Sequence, residues 1–218
     1  MIQTRYTDYI RETFAREDEV LEAIRRKAHE DGILGLLISA DVGALLAVLI
    51  RAAGVKTILE LGSAYGYSAI WLARALPPGG RLTGIDSSPE RAETAREFVA
   101  QAGLGDRVEF RVGKVLEVLP GLSAERFDAI FIDADKREYP AYLDWALDHV
   151  NPGGLILADN TLAGGSDLDI LAEPESSEVV RAVREFNERL ASDRRLTSII
   201  IPVRQGVSVS VVGSAAVD

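Results

Sequence analysis

Four apolar runs in this 218-residue chain end in groups able to do chemistry. "IFIDADK" carries Asp133, Asp135 and Lys136 within four positions, and "LADN" closes on Asp159 and Asn160. "ELGSAYGYS" places Glu60 two residues before Gly62, and "GRLTGID" ends in Asp86. Carboxylate and amide oxygens without His or Cys suit a hard divalent cation, Mg²⁺ first and Mn²⁺ or Ca²⁺ after it, with water or substrate completing the shell. Asp133, Asp159 and Asn160 form such a set if their strands are neighbours. Taken singly, Asp133 reads better as a helix cap and Asn160 as a turn residue; three such groups at adjoining strand ends favour the metal. Lys136 follows Asp133 by three residues, and an amine there serves as a general base or neutralises a developing phenolate. Asp135 reads either as a cofactor contact or as a cap for the following helix.

The glycine turn has the spacing E-x-G-x-x-x-G, whereas a pyrophosphate cofactor favours G-x-G-x-x-G. Gly62 permits a tight turn and close backbone approach, and the next helix offers free N–H groups. An acid at the mouth, Glu60, suits a cationic group better than a diphosphate. Asp86 at the second strand's end is well placed for two ribose hydroxyls. Together they describe a nucleoside with a cationic amino-acid tail, S-adenosylmethionine (SAM), against the plainer reading of Gly62 and Gly66 as turn and packing glycines.

These groups need a scaffold that gathers strand ends. Residues 4–31 show apolar residues near helical spacing within dense charge, which predicts one or two amphipathic helices. A buried helix over "VGALLAVLIRAA" follows, with Ser39 or Asp41 as its cap and Gly54 as its stop. Then short apolar runs alternate with helices: "KTILELG", helix 66–76, "GRLTGID", helix 89–102, "RVEFRVG", helix 115–119, "FDAIFID", helix 139–149 and "GGLILAD". Such alternation predicts an α/β fold with a mostly parallel sheet and helices on both faces, whose ligands bind beyond the carboxyl ends of the strands. A last helix, 176–191, precedes "RLTSIIIPV" and "GVSVSVV", joined by "RQG", too short for a parallel crossover and therefore an antiparallel hairpin. The long polar connection at 161–175 has the length of a functional or mobile loop.

With 47% hydrophobic and 27% charged residues the chain reads as one ordinary globular domain. Helices within 1–54 cap the cofactor and substrate side of a 55–218 core. A net charge of -10 opposes attraction to nucleic acid or anionic membranes. Zero cysteines exclude disulfides and thiolate metal sites. The charged N-terminus lacks a secretory h-region and "VGALLAVLI" is short for a span, so a cytoplasmic location is expected. His29 and His149 read as structural, and Trp71, Phe98 and Trp145 as core or helix-face residues, with Trp145 also a candidate to border the pocket.

"ELGSAYGYSAIWLARALPPGGRLTGID", "FDAIFIDADKREYPAYLDWALDHVNPGGLILADN" and "REFNERLASDRRLTSIIIPVRQGVSVSVV" resemble the cation-dependent, SAM-dependent O-methyltransferases of the caffeoyl-CoA and catechol type. The likeness runs from about residue 35 to the end, with the glycine turn, the D-A-D-K run and the A-D-N strand end in order. It implies a Rossmann-like class I methyltransferase fold with a seven-stranded sheet. It implies that Glu60, Gly62 and Ser68 hold the methionine part of the cofactor, with Ser39 a further candidate, and that Asp86 holds the ribose. Val115 falls in the adenine-lining stretch and Tyr142 near the cofactor carboxylate. Asp133, Asp159 and Asn160 map onto the metal ligands and Lys136 onto the lysine beside the transferred methyl group. The implied acceptor is a small catechol-like phenol, and the implied assembly a homodimer. Rival readings are methylation of RNA, of a protein side chain or of another small molecule, a nicotinamide-dependent oxidoreductase, and a non-catalytic dimerisation module.

Overall fold

The computed structural model describes residues 2–162, 169–171 and 177–213. Helices α1 (Ile2–Phe14), α2 (Glu19–Glu30) and α3 (Ala40–Ala52) precede strand β1 (Thr57–Leu61). There follow α4 (Tyr67–Ala75), β2 (Arg81–Asp86), α5 (Pro89–Gln101), β3 (Val108–Val112), α6 (Val115–Val118), β4 (Phe127–Ile132), α7 (Tyr139–His149) and β5 (Val150–Ala158). After α8 (Glu178–Ser192), β6 (Leu196–Ile201) and β7 (Val207–Val212) form the closing hairpin. Local chemistry sets several starts. Asp18 accepts from Leu21 N to cap α2, and Ser88 caps α5 by accepting from Arg91 N, with Pro89 following.

The seven strands lie in the order β3-β2-β1-β4-β5-β7-β6. The first five pair in parallel, while β7 runs antiparallel to both β5 and β6. Strand side chains alternate between two cores. Ile58, Ala129, Phe131, Leu155 and Leu157 pack with α2 to α5, whereas Leu59, Leu61, Ile130, Ile132 and Ile156 pack with α6 to α8. The predicted α/β architecture, with a mostly parallel sheet of seven strands and a C-terminal antiparallel hairpin, is therefore observed. The order reverses between β1 and β4, the switch point at which such sheets open a crevice.

One apolar stretch, Leu34–Ala52, reaches 19 residues and a mean hydropathy of 2.0, longer than the sequence reading allowed. It is not one straight helix: Leu34–Leu36 is a 3-10 turn and Ser39 is extended. Val42, Leu46 and Ile50 on α3 are buried in the core. The 161–175 connection falls largely outside the described residues.

Gly62 shows how tightly the switch point is built. Its φ is +95°, and an added Cβ would collide with the Asp133 carbonyl, lying 2.8 Å from its carbon. Gly153 has a φ of +80° but nothing near a Cβ. Gly153→Ala should therefore cost only the left-handed backbone penalty, about 1–2 kcal/mol, and Gly62→Ala should cost about 1–3 kcal/mol more from overpacking. Urea unfolding of the two variants checks this ordering.

Candidate active site

Register explains why the chemical groups meet. Leu61 pairs with Ile85 on one side and Ile132 on the other, and Ile132 pairs with Ala158. One residue further on, Asp86, Gly62, Asp133 and Asp159 follow one another along the carboxyl edge, on strands about 4.8 Å apart. Backbone bonds carry the ladder past the strand ends: Gly62 N to Ile85 O at 2.9 Å, Asp133 N to Leu61 O at 2.8 Å and Asp159 N to Ile132 O at 3.1 Å. Alternation turns this row toward the face covered by α2 to α5. A cavity of about 1060 Å³ opens over it, with Asp86, Gly62, Asp133, Asp159 and Asn160 on its wall. The row is acidic except at Gly62, where the missing side chain leaves room between Asp86 and Asp133.

Asp86 is rigidly held. Its Oδ2 accepts from Ala64 N at 2.8 Å, and its Oδ1 accepts from Ser88 N at 2.8 Å and Arg91 Nε at 2.9 Å. Ala64 takes the left-handed region, at a φ of 44°, so the bond from Asp86 helps to hold a strained turn against the cavity. Val115 lies on the wall near this end, together with Lys114 and Ser87.

Glu60 corrects the sequence reading. It is fully buried beneath the wall rather than at the mouth. Its Oε2 accepts from Ser63 Oγ at 2.6 Å, while its Oε1 has no partner. Burial pushes the carboxyl up to about 7, against the pull of Ser63 and Ser68. Ser68, on the buried face of α4, therefore serves Glu60 and is not itself on the cavity wall. Ser39 is on the wall, and its buried Oγ has no partner although it holds the N-cap position of α3. Asp41 in the first turn binds Arg204 instead of capping.

At the other end of the row, Asp133 and Asp159 are two desolvated acids side by side. Burial raises Asp133 while Lys136, its Nζ 3.2 Å from Oδ1, draws it down. Burial, and then the charge of Asp133, push Asp159 up to about 7. Asp159 Oδ1 is buried without a partner. Asn160 adds an amide from a left-handed backbone, at a φ of 58° that asparagine tolerates. No group of three His, Cys, Asp or Glu gathers among the described residues, so the third oxygen here is this amide. Two desolvated carboxylates, one of them paired with Lys136, and an amide oxygen are the donor chemistry of a hard divalent cation, and the orphaned Asp159 oxygen fits one.

Of the two roles considered for Asp135, the cap is observed. It caps the 3-10 turn Lys136–Glu138 by accepting from Arg137 N at 3.0 Å, and it stands on the cavity wall. Tyr142 also reaches the wall, its hydroxyl donating to Glu138 Oε2 at 2.5 Å. Trp145 does not border the cavity, since its ring stacks on His149 at 3.7 Å and tilts against Phe127. Trp71 packs on Gly43, Phe98 on the α2 to α5 core, and His29 is exposed. Arg25, Arg91, Arg204 and Gln205 line the cavity without having been anticipated. Only the "RQG" turn gave a signal, and it was read as a connection alone.

A sequence model of the O-methyltransferase family matches residues 11–211. The catechol O-methyltransferase of Niastella koreensis is 39% identical over 88% of this chain and 87% of its own length. That of Mycobacterium tuberculosis is 37% identical over 81% and 79% respectively. Among solved structures, the O-methyltransferase from Bacillus cereus in complex with SAH superposes with a TM-score of 0.89 at 33% identity, covering 97% of this chain and 100% of that one. TomG from Streptomyces achromogenes, solved in complex with SAM, gives 0.89 at 36% identity, with 98% and 100% covered. The chain belongs to the O-methyltransferase family and is a SAM-dependent enzyme of the caffeoyl-CoA and catechol type, as the resemblance implied.

Proposed function

We propose that the chain methylates one hydroxyl of a small phenol bearing two neighbouring oxygens, with a divalent cation, Mg²⁺ first, held by Asp133, Asp159 and Asn160. The observation that carries this reading is the Asp159 carboxylate, buried beside Asp133 with one oxygen unpartnered. The name of the relatives from Niastella koreensis and Mycobacterium tuberculosis supports a catechol-like acceptor. When bound, such a cation favours the anionic form of a neighbouring hydroxyl, each pKa unit being about 1.4 kcal/mol.

The chain's own groups do the rest. Asp86 receives the ribose hydroxyls at one end of the row, with Val115 along the adenine. Glu60, through Gly62 and the Ser39 side, supplies negative charge beneath the cationic amino-acid tail, and Tyr142 borders the same cofactor. Gly62 leaves the sulfonium methyl free to lie beside Asp133. Lys136, held by Asp133 at 3.2 Å, offsets the charge of the hydroxyl oxygen as its proton passes to solvent water. That oxygen takes the methyl as the sulfur–methyl bond breaks to leave SAH as a neutral thioether. Most of the rate gain then comes from holding nucleophile and methyl in line within one cavity.

The helix α1 exposes Tyr6 at 66%, Tyr9 at 60% and Phe14 at 70%. These support a homodimer that covers them. A net charge of -10 and the absence of cysteine support a cytoplasmic enzyme that acts on small molecules and not on nucleic acid or membrane.

Asp159→Ala should abolish cation-stimulated turnover while SAH affinity, read by calorimetry, stays within about twofold; full activity of this variant in chelator would refute the cation ligands. Glu60 gives a pH prediction. Its folded-state value of about 7 lies above the ordinary 4.5. Between those values the folded chain keeps a proton that the unfolded chain has lost, so stability falls as pH rises through this window. The fall should be on the order of 3 kcal/mol, and Glu60→Gln should remove much of it in urea titrations at the two ends of the window. Light scattering should return twice the chain mass of 23.6 kDa, and a single-chain mass would refute the dimer.

A further inference from the structure

We infer that Gln205, at the tip of the β6–β7 hairpin, is a positioning residue that fixes which end of the Asn160 side-chain amide faces the cavity. The inference rests on Asn160 being a cation ligand. An amide has one oxygen that attracts a cation and one NH₂ that repels it, and the two ends have nearly the same shape. Asn160 Nδ2 donates to the Gln205 carbonyl oxygen Oε1, and Asp159 Oδ2 lies 3.4 Å from the same nitrogen. With Nδ2 committed to those two acceptors, Oδ1 is the end that remains for the cavity. With Gln205 held in place, rotation of the Asn160 amide would set its oxygen against two acceptors, Gln205 Oε1 and the Asp159 carboxylate, and aim N–H groups at the site.

The hairpin tip is fastened firmly enough to do this. Leu162 N donates to Gln205 O at 2.8 Å, and Thr161 donates to Gly206 O through its N at 3.0 Å and its Oγ1 at 3.1 Å. Asn187 Nδ2 on α8 holds Thr161 O at 2.7 Å. A Cβ on Gly206, whose φ is +84°, would stand 2.9 Å from Leu162 N, so the two segments touch backbone to backbone. On the other side Arg204 grips Asp41 of α3 with two bonds, Nε to Oδ2 at 2.9 Å and Nη2 to Oδ1 at 3.1 Å. Arg204 does so from a left-handed backbone, at a φ of 52°, which a long side chain adopts only where its surroundings hold it there. The turn between the edge strand β6 and its neighbour β7 thus lies on the cavity wall, and its Gln205 meets the amide.

The test is Mn²⁺ affinity, read from the free-ion electron paramagnetic resonance signal on SAH-bound protein. Gln205→Leu should weaken Mn²⁺ binding about tenfold, the scale on which outer partners of metal ligands act. Asn160→Asp presents an oxygen in either rotation, so in that background Gln205→Leu should change affinity by less than about twofold. SAH affinity from calorimetry should be unchanged in each variant, which shows that the fold is intact. An unchanged Mn²⁺ affinity in Gln205→Leu, or an equal loss in both backgrounds, would overturn the role of Gln205 alone. A wild-type chain that holds no Mn²⁺ would overturn the cation reading and this inference with it.

Discussion

Carboxylates kept out of water without a full set of partners are the constraint on which this molecule depends. A parallel sheet places the ends of β2, β1, β4 and β5 at one edge, and the register sets Asp86, Gly62, Asp133 and Asp159 in line there. Glu60 lies beneath them, buried, with one oxygen unsatisfied. Burying a charge without compensation costs several kcal/mol. The chain meets that cost by letting Glu60 and Asp159 hold protons up to about pH 7. On the function proposed above, such a site would exchange protons for cations, the sulfonium tail near Glu60 and the divalent ion near Asp159.

The scaffold keeps this arrangement from relaxing. Cores on both faces of the sheet fix the strands, and an alanine at Gly62 would already collide with the neighbouring strand end. The N-terminal helices are tied over the crevice through Arg25, which donates to Tyr67 Oη at 2.8 Å and pairs with Glu17 at 2.5 Å. Across the mouth, Arg204 joins the C-terminal hairpin to Asp41. The rim of the cavity is therefore set by contacts between segments far apart in sequence, while its acidic floor is made by strand ends that follow local rules.

That division explains what the sequence disclosed. Strand ends were legible because alternation of short apolar runs with helices predicts a parallel sheet, and a parallel sheet has one functional edge. Asp86, Asp133, Asp159, Asn160 and Lys136 were found on that basis, and all lie on the cavity wall. Depth was not legible. Glu60 and Ser68 sit below the wall because Gly62 and Ala64 turn back over them, a matter of backbone path rather than residue type. Trp145 is the helix-face residue expected, stacked on His149 and not on the cavity wall that it was a candidate to border. Arg25, Arg204 and Gln205 carried no local pattern, since their partners lie 42, 163 and 45 residues away.

The most direct measurement is proton release on cation binding. Mg²⁺ titrated into SAH-bound protein at about pH 6, in buffers of different ionisation enthalpy, counts the protons displaced from Asp133 and Asp159. The account predicts release on the order of one proton per ion, lost in Asp159→Asn. Cation binding whose heat is the same in every buffer, or that persists unchanged in Asp159→Asn, would contradict it.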